Sequence, residues 1–553
     1  MPNKILLPVL LSLLLLVGCD LGPSNIESAT AKQILHLGNG TEPKDLDPHT
    51  VTGVPEHNII SALFEGLISV DPATLAPQPA VAESWVISND GKRYTFTLRD
   101  NANWSNGDPV TADDFVWSWQ RMLSPALASE YAYQLFTVKN AQAFNHGELT
   151  DFSQVGVKAI NSKTLVIELE NPTPYFLSLL AHYSTFAVHP PTILAFGERD
   201  QAGTLWTRPG NLVGNGPFTL DSWRLNYIIR VKKNPQYWDH KAVRLNEILF
   251  YPIDSALTEE RMFRTGVLHA TSSTPLDKIA SYQTNDPDKI SIDPYLGTYY
   301  YRLNVTEKPL DDVRVRRALS MSIDRQAITD SITKGGQIPA FTFTPPNTQG
   351  YFANTNSIRY DLAQGQQLLS EAGFPNGEGF PEIELTYNTS DGHRRIAVAI
   401  QQMWKLALNI NVRLSNQDWK VYLSRIQALD YSIARAAWIG DYPDPNTFLD
   451  MFVTNGGNNQ TGWSNSQYDE LIASAASEAD EKKRYKIFQQ AENLLMDESP
   501  IIPIYTYTRV LLKHPQLKGW EPNILDIHPY KYCLLYTSPS PRDRTRSRMP
   551  SSA

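Results

Sequence analysis

The chain has 553 residues, 42% hydrophobic and 19% charged, enough apolar material for sizeable cores spread over roughly two to four domains. Its formal net charge of −9, with no long basic run in the body, gives nothing that invites a nucleic-acid backbone as a partner. The two cysteines, Cys19 and Cys533, stand near opposite ends, so the body between them has neither disulfide nor thiol chemistry.

Lys4 precedes an apolar stretch, Ile5 to Val17, broken only by Pro8 and Ser12 and too short for an ordinary membrane span. It closes on Leu16-Val17-Gly18-Cys19, which resembles a bacterial lipoprotein signal (residues 1–18) cleaved before a lipidated Cys19. A plain export signal with an incidental cysteine is the alternative. A thioether-linked diacylglycerol plus an amide-linked chain would give stable anchoring. Asp20 resembles the residue that retains such lipoproteins at the inner membrane, and residues 19–33, small and polar, read as a tether.

Beyond the tether, strands and helices interleave. Lys92 to Arg99 alternates Tyr94, Phe96 and Leu98 on one face, and Thr164 to Leu169 repeats the pattern before Asn171-Pro172-Thr173-Pro174 ends it. Asp311 to Lys334 places Val315, Ala318, Leu319, Ile323, Ala327 and Ile328 on one helical stripe, closed by Gly335-Gly336. Further helices are expected over 361–372 and 396–408, and two over 466–496. No period of 20–50 residues recurs, and the mixture predicts α/β domains on several sheets. From Cys533 the chain is rich in Ser, Pro and Arg without periodicity, and 533–553 reads as a non-native tail outside the fold.

Several phrases occur in order between about residues 37 and 532. They are Thr41-Glu42-Pro43-Lys44-Asp45-Leu46-Asp47-Pro48-His49, Leu63-Phe64-Glu65-Gly66-Leu67, Trp104 to Phe115 and Gly214-Asn215-Gly216-Pro217-Phe218. Lys233-Asn234-Pro235-Gln236-Tyr237-Trp238, Val313 to Leu319 and Ala434-Arg435-Ala436-Ala437-Trp438-Ile439-Gly440-Asp441-Tyr442 follow. Together they resemble the extracellular solute-binding proteins of peptide ATP-binding-cassette importers, in their oligopeptide-binding branch. The resemblance implies the two-lobed periplasmic binding protein fold, α/β with mixed sheets and an extra domain, holding its ligand in the interlobe cleft. Lobe I is expected from 34–64, 190–292 and 509–532, the appended domain from 65–189, and lobe II from 293–508.

Such a receptor must hold what every short peptide shares: an ammonium, a carboxylate and a hydrogen-bonding backbone. The resemblance assigns Asp441 to the peptide α-amino group and Arg435 to its terminal carboxylate. It assigns His393, in the loop beginning Asn388-Thr389, to the C-termini of certain peptide lengths. Trp419 and Trp438 match pocket aromatics, Tyr131 a lid-side contact, and the main chains of Val54, Ala437 and Ile439 backbone partners. Read from sequence alone, Asp441 also suits a turn cap, Arg435 a salt bridge, and the tryptophans core packing. The chain departs from the family at Thr52, where glutamate is common. It departs again at Ile426, the expected place of a second arginine, so Arg425, one residue away, is taken as its substitute. These departures leave room for a relative's cargo, the murein tripeptide.

The expected partners are short peptides, permease subunits and, through lipid, the membrane, with the protein a monomer at the periplasmic face. No cofactor and no metal are expected. His-Glu-x-x-His and Gly-x-Ser-x-Gly are missing, and the one Ser-x-x-Lys, Ser331 to Lys334, closes a helical stripe instead of opening it and has no Lys-Thr-Gly companion. Catalysis is therefore not expected. A metal-complex or haem carrier would need ligands that the 11 scattered histidines do not form.

Overall fold

The computed structural model describes residues 25–353 and 358–536. The stretch read as an export signal, Cys19 with its expected lipidation, Asp20 and residues 537–553 lie outside the described residues. Three sheets organise the rest. Ile34–Gly38 pairs parallel to Glu247–Tyr251, which continues antiparallel through Ile228–Lys233 to Phe218–Arg224. The second sheet has six strands in the order 338–339, 501–512, 290–303, 433–439, 383–388 and 412–417. The third is antiparallel, with Ala82–Ile87, Arg93–Leu98, Thr164–Glu168 and Val157–Asn161 as successive neighbours. Its alternation matches the sequence pattern: Tyr94, Phe96 and Leu98 are buried on one face, and Phe96 stands opposite Leu165.

The two long strands Ile290–Leu303 and Ile501–Leu512 join the lobes. Their register shifts between Pro294 and Thr298, and beyond the shift Ala270 bridges Lys513 on one side and Leu37 on the other. One apolar core runs through the first and third sheets. Another lies under the long sheet, where Tyr299, Leu385 and Ile433 meet Leu319 and Trp404 from its helices.

The stripe expected as one helix over 311–334 is Val313–Met321, then Arg325–Ile328, then a wide turn Thr329–Thr333. Asp312 and Asp324 each start a helix, accepting from Arg314 N and Ala327 N, and the apolar period conceals this second cap. Lys334 takes the left-handed position at φ 55. The helix expected to begin at Ile396 begins at Asp391, so His393 sits in a first helical turn rather than a loop. The pair over 466–496 is Ser466–Ser477 and Glu481–Glu498, with Asp480 capping the second.

Both ends of the folded part differ from expectation. Within the stretch read as a tether, Asn25–Ala31 is a helix that buries Ile26 and Ala29. At the other end Cys533 is fully buried, its thiol pushed up to about 12 by that burial. Leu534–Leu535 pairs with Leu517–Lys518, and Leu535 N donates to Gln33 Oε1 at 3.0 Å. The fold therefore extends to residue 536, and a two-residue apolar strand is too short to show any period in sequence.

Several of the ordered phrases meet at one point. Glu65 accepts from Tyr237 Oη and Trp238 Nε1 and faces Lys531 Nζ at 3.4 Å, while Asn215 bonds the Glu65 main chain twice. A Cβ on Gly214 would lie 2.1 Å from Leu63 O, so that close approach requires glycine. Asp47 forms a fully buried two-pronged pair with Arg121, tying the Thr41–His49 phrase to the third-sheet domain.

Candidate functional site

The strand Ile433–Ile439 pairs along its whole length with Gly297–Leu303, but on its other side only Ile433 and Ala434 have a neighbour, at Leu385 and Thr386. From Arg435 onward that edge carries no strand. Gly440 N donates inward to Leu296 O at 2.7 Å. By the two-residue alternation of a strand, Ala437 and Ile439 therefore turn their N–H and C=O groups to the open edge. Arg435 shares that orientation, and its carbonyl accepts from Tyr422 Oη.

Asp441 lies just past the end of this edge, its side chain only 7% exposed. Gln134 Nε2 donates to Oδ2 at 2.8 Å and Tyr131 Oη to Oδ1 at 3.4 Å, both from the third-sheet domain. His182 Nε2 is 3.4 Å from Oδ1. Burial holds that imidazole well below its usual range, so it brings no positive charge. Burial likewise raises Asp441 to about 7, against the opposing pull of its two hydrogen bonds. Among the described residues no cation pairs with this carboxylate.

Arg435 is its counterpart at the other end. Burial opposes its charge, but the oxygens of Tyr507 and Tyr299 hold it charged. Its Nη2 donates to Tyr507 Oη at 2.7 Å, its Nη1 is 3.3 Å from Asn388 Oδ1, and the guanidinium lies 4.8 Å over the Tyr299 ring. Nε is buried with no acceptor. Among the described residues Arg435 has no carboxylate partner. His393 packs against Tyr299, with ring centroids 5.6 Å apart, and burial and then Arg435 push its pKa well down.

Trp438 sits 6.3 Å from the Tyr131 ring and donates Nε1 to Thr447 O at 2.6 Å. Trp419 stacks on Tyr422 and turns its indole N–H toward the buried Glu56 carboxylate. A Cβ on Gly53 would be 3.2 Å from the Trp419 ring, so the loop carrying Thr52 and Val54 meets lobe II there. Val54 opens the helix Val54–Leu63 and is 41% exposed, and as a first-turn residue it has no intrahelical acceptor for its N–H.

Arg425 does not join this group. Its Nη2 and Nε are each 2.9 Å from Glu384 and Asp430, while Ile426 is buried with Tyr422, Tyr431 and Ala434. The single-residue offset turns the arginine to a different helical face. The structure adds Gln134, His182, Tyr299 and Tyr507, which sequence reading missed. Each belongs to an otherwise ordinary core segment, and no local pattern singles it out.

Two lobes joined by paired long strands, with an open strand edge between lone charges of opposite sign, are the architecture of a periplasmic binding protein. The chain belongs to the bacterial extracellular solute-binding proteins, family 5, whose middle region matches residues 76–460. It is 38% identical to the oligopeptide-binding protein OppA of Bacillus subtilis over 528 residues, 92% of this chain and 95% of that one. It superposes on the murein tripeptide binding protein MppA of Escherichia coli with a TM-score of 0.87, at 36% identity, covering 91% of this chain and 99% of that one. Against the unliganded open form of MppA the TM-score is 0.62, at 37% identity and 91% and 97% coverage. The lobes here thus stand in a different relation from that open form.

Proposed function

We propose that this protein is the peptide receptor of an ATP-binding-cassette importer, exported, lipid-anchored through Cys19, and without catalytic activity. One observation carries the reading: a buried carboxylate and a buried guanidinium, neither with an ionic partner among the described residues, flank an unpaired strand edge. A peptide with its ammonium at Asp441 and its carboxylate toward Arg435 runs antiparallel to that strand and adds to it through Ala437 and Ile439. Six residues of strand span at most about 20 Å, which suits a few extended peptide residues once the arginine side chain reaches inward. The shifted register at Pro294–Thr298 is the natural place for the lobes to hinge, as loading and release require.

The likeness to MppA, with Thr52 and Ile426 in the expected places of two charged groups, favours murein tripeptide as a second reading. Titration calorimetry of ligand-stripped protein with unrelated tri- and tetrapeptides and with murein tripeptide tests both. Tight binding of several unrelated peptides supports a general receptor, binding of the murein tripeptide alone narrows the cargo to cell-wall fragments, and no heat from any of them sinks the proposal. Anchoring is tested separately: Cys19→Ala should move the protein from the membrane to the soluble fraction, and an unchanged distribution refutes the lipid.

A further inference from the structure

Behind the Gln134–Asp441 contact lies a second space, a half-open chamber of about 1220 Å³ lined by residues of the third-sheet domain and lobe II. That exceeds the roughly 300–1,000 Å³ of ordinary ligand pockets. Gln134 lies in its wall, so the chamber begins where the Asp441 anchor ends. Glu130, Glu170, Asp450 and Asp469 line it, and no lysine or arginine does.

Glu130, Glu170 and Asp469 accept hydrogen bonds, but a few polar atoms of the wall have none. Ser129 is only 9% exposed, and its Oγ has no hydrogen-bond partner. Thr137 Oγ1 and Asp450 Oδ1 are likewise buried without one. Asp450 Oδ2 is held by Asn446 Nδ2 at 2.7 Å, so half of this carboxylate is satisfied and half is not. Arg484, a cation close to Asp450, is taken up by Asp444 in a two-pronged pair at 2.7 and 2.8 Å. Burial, and then the charges of Asp441 and Asp444, push Asp450 well above the usual carboxylate range. A cation seated against Oδ1 would relieve that repulsion. Among the described residues no three His, Cys, Asp or Glu side chains are grouped to hold a metal ion. Tyr133 also lines the wall, and its aromatic ring suits an ammonium group, whereas Tyr175 and Tyr442 stack on each other and Arg484 already lies over Tyr175.

We propose that this chamber is a separate subsite for an alkylammonium group, carried either by a basic residue at the N-terminal end of a bound peptide or by a free polyamine. The proposal rests on the peptide-receptor reading for the position of the peptide N-terminus, and the experiment keeps the two apart. Full-length protein is first titrated with trialanine. It is then titrated with spermidine in the presence of saturating trialanine, and separately with Lys-Ala-Ala-Ala and its Nε-acetyl-lysine analogue. Each titration is repeated on Asp450→Asn and on Ala473→Trp, the latter projecting an indole into the chamber from an exposed helical position.

A polyamine source is supported by one-to-one spermidine binding that weakens about fivefold or more in the variants. A peptide source is supported when Nε-acetylation weakens the wild-type complex about fivefold but leaves the variants indifferent. If Asp450→Asn fails to fold, Ala473→Trp decides alone. Silence in both arms, or effects that survive in the folded variants, overturns the proposal. Trialanine binding with both arms silent removes only the subsite, whereas no binding by trialanine or either lysine peptide removes the peptide-receptor reading.

Discussion

The two ends of the cleft are built to the same plan with opposite charge, yet they respond differently to being empty. Asp441 and Arg435 are both buried beside neutral hydrogen-bonding groups, and neither has a counter-ion among the described residues. A buried lone charge costs free energy, and a zwitterionic ligand removes the cost at both ends at once. Asp441, raised to about 7, can escape its cost by taking a proton. Arg435 cannot, and depends on the Tyr299 face and the oxygens of Tyr507 and Asn388. One charge is therefore adjustable by pH and the other is fixed.

The strongest test removes the adjustable end. Asp441→Ala should weaken tri- and tetrapeptide binding by about 100-fold or more, because the peptide ammonium is left buried and unpaired. Calorimetry reads it directly, and an affinity within a few-fold of wild type would end the assignment. N-acetylated peptides should reproduce the loss on wild-type protein. The same site should show the opposite effect on stability. The folded carboxyl, at about 7 against an ordinary 3.8, holds its proton more tightly than the unfolded one. Stability is therefore lost as pH rises between those values, and the cost is complete above them. Asp441→Asn should then raise the Tm of the empty protein at pH 8 and leave it nearly unchanged at pH 4, as scanning calorimetry would show.

The fixed end should give a smaller, length-dependent loss. Arg435→Met should weaken peptides whose carboxylate reaches the guanidinium by about 10- to 50-fold, while C-terminally amidated peptides change little. Equal losses for acid and amide, or for every length, would mean the arginine serves the aromatic stack around Tyr299 rather than the ligand. No pH window between 5 and 9 should accompany this variant's stability.

How far the geometry around these two charges could be read in advance depended on what the residues do locally. Asp441 and Arg435 sit in one ordered phrase, so their identities and six-residue spacing were legible together. The open edge that makes Ala437 and Ile439 available was not, because it arises from where the strand 383–388 stops pairing, at Thr386. Gln134 and His182 come from a distant domain and meet Asp441 only through tertiary packing. Arg425 misled because residues one apart on a helix point about 100° from each other. Much of the signature, meanwhile, encodes assembly: Glu65 with Tyr237 and Trp238, and Asp47 with Arg121, tie separate segments of the chain together.

The difference between the ends predicts a pH profile whose acid limb belongs to Asp441 and whose alkaline limb belongs to the peptide amine, with Arg435 contributing to neither. Below about pH 7 an ammonium binds only after Asp441 releases its proton, so affinity should fall by up to about tenfold per pH unit. Above that, the peptide amine loses its own proton near pH 7.7–8.0 and affinity falls again. Titrations at pH 6.5 in two buffers of different ionisation enthalpy should reveal proton release on binding. Flat affinity from pH 5.5 to 7.5 would place the Asp441 carboxyl at an ordinary pKa and erase the contrast with Arg435.

If the ends dominate, the middle of the ligand should matter least. The open edge offers the N–H and C=O groups of Ala437 and Ile439 to the peptide backbone, and each such bond contributes about 0.5–1.5 kcal/mol net. A tetrapeptide methylated at one internal amide nitrogen loses a donor while keeping both termini, so no folding problem in the protein intervenes. Its affinity should fall by only about two- to tenfold, with methylation at the alternate amide, which faces away from the strand, costing less still. A loss as large as that of Asp441→Ala would show that strand addition, not terminal charge, holds the ligand. Equal effects at both amides would mean the peptide does not lie as a strand along this edge.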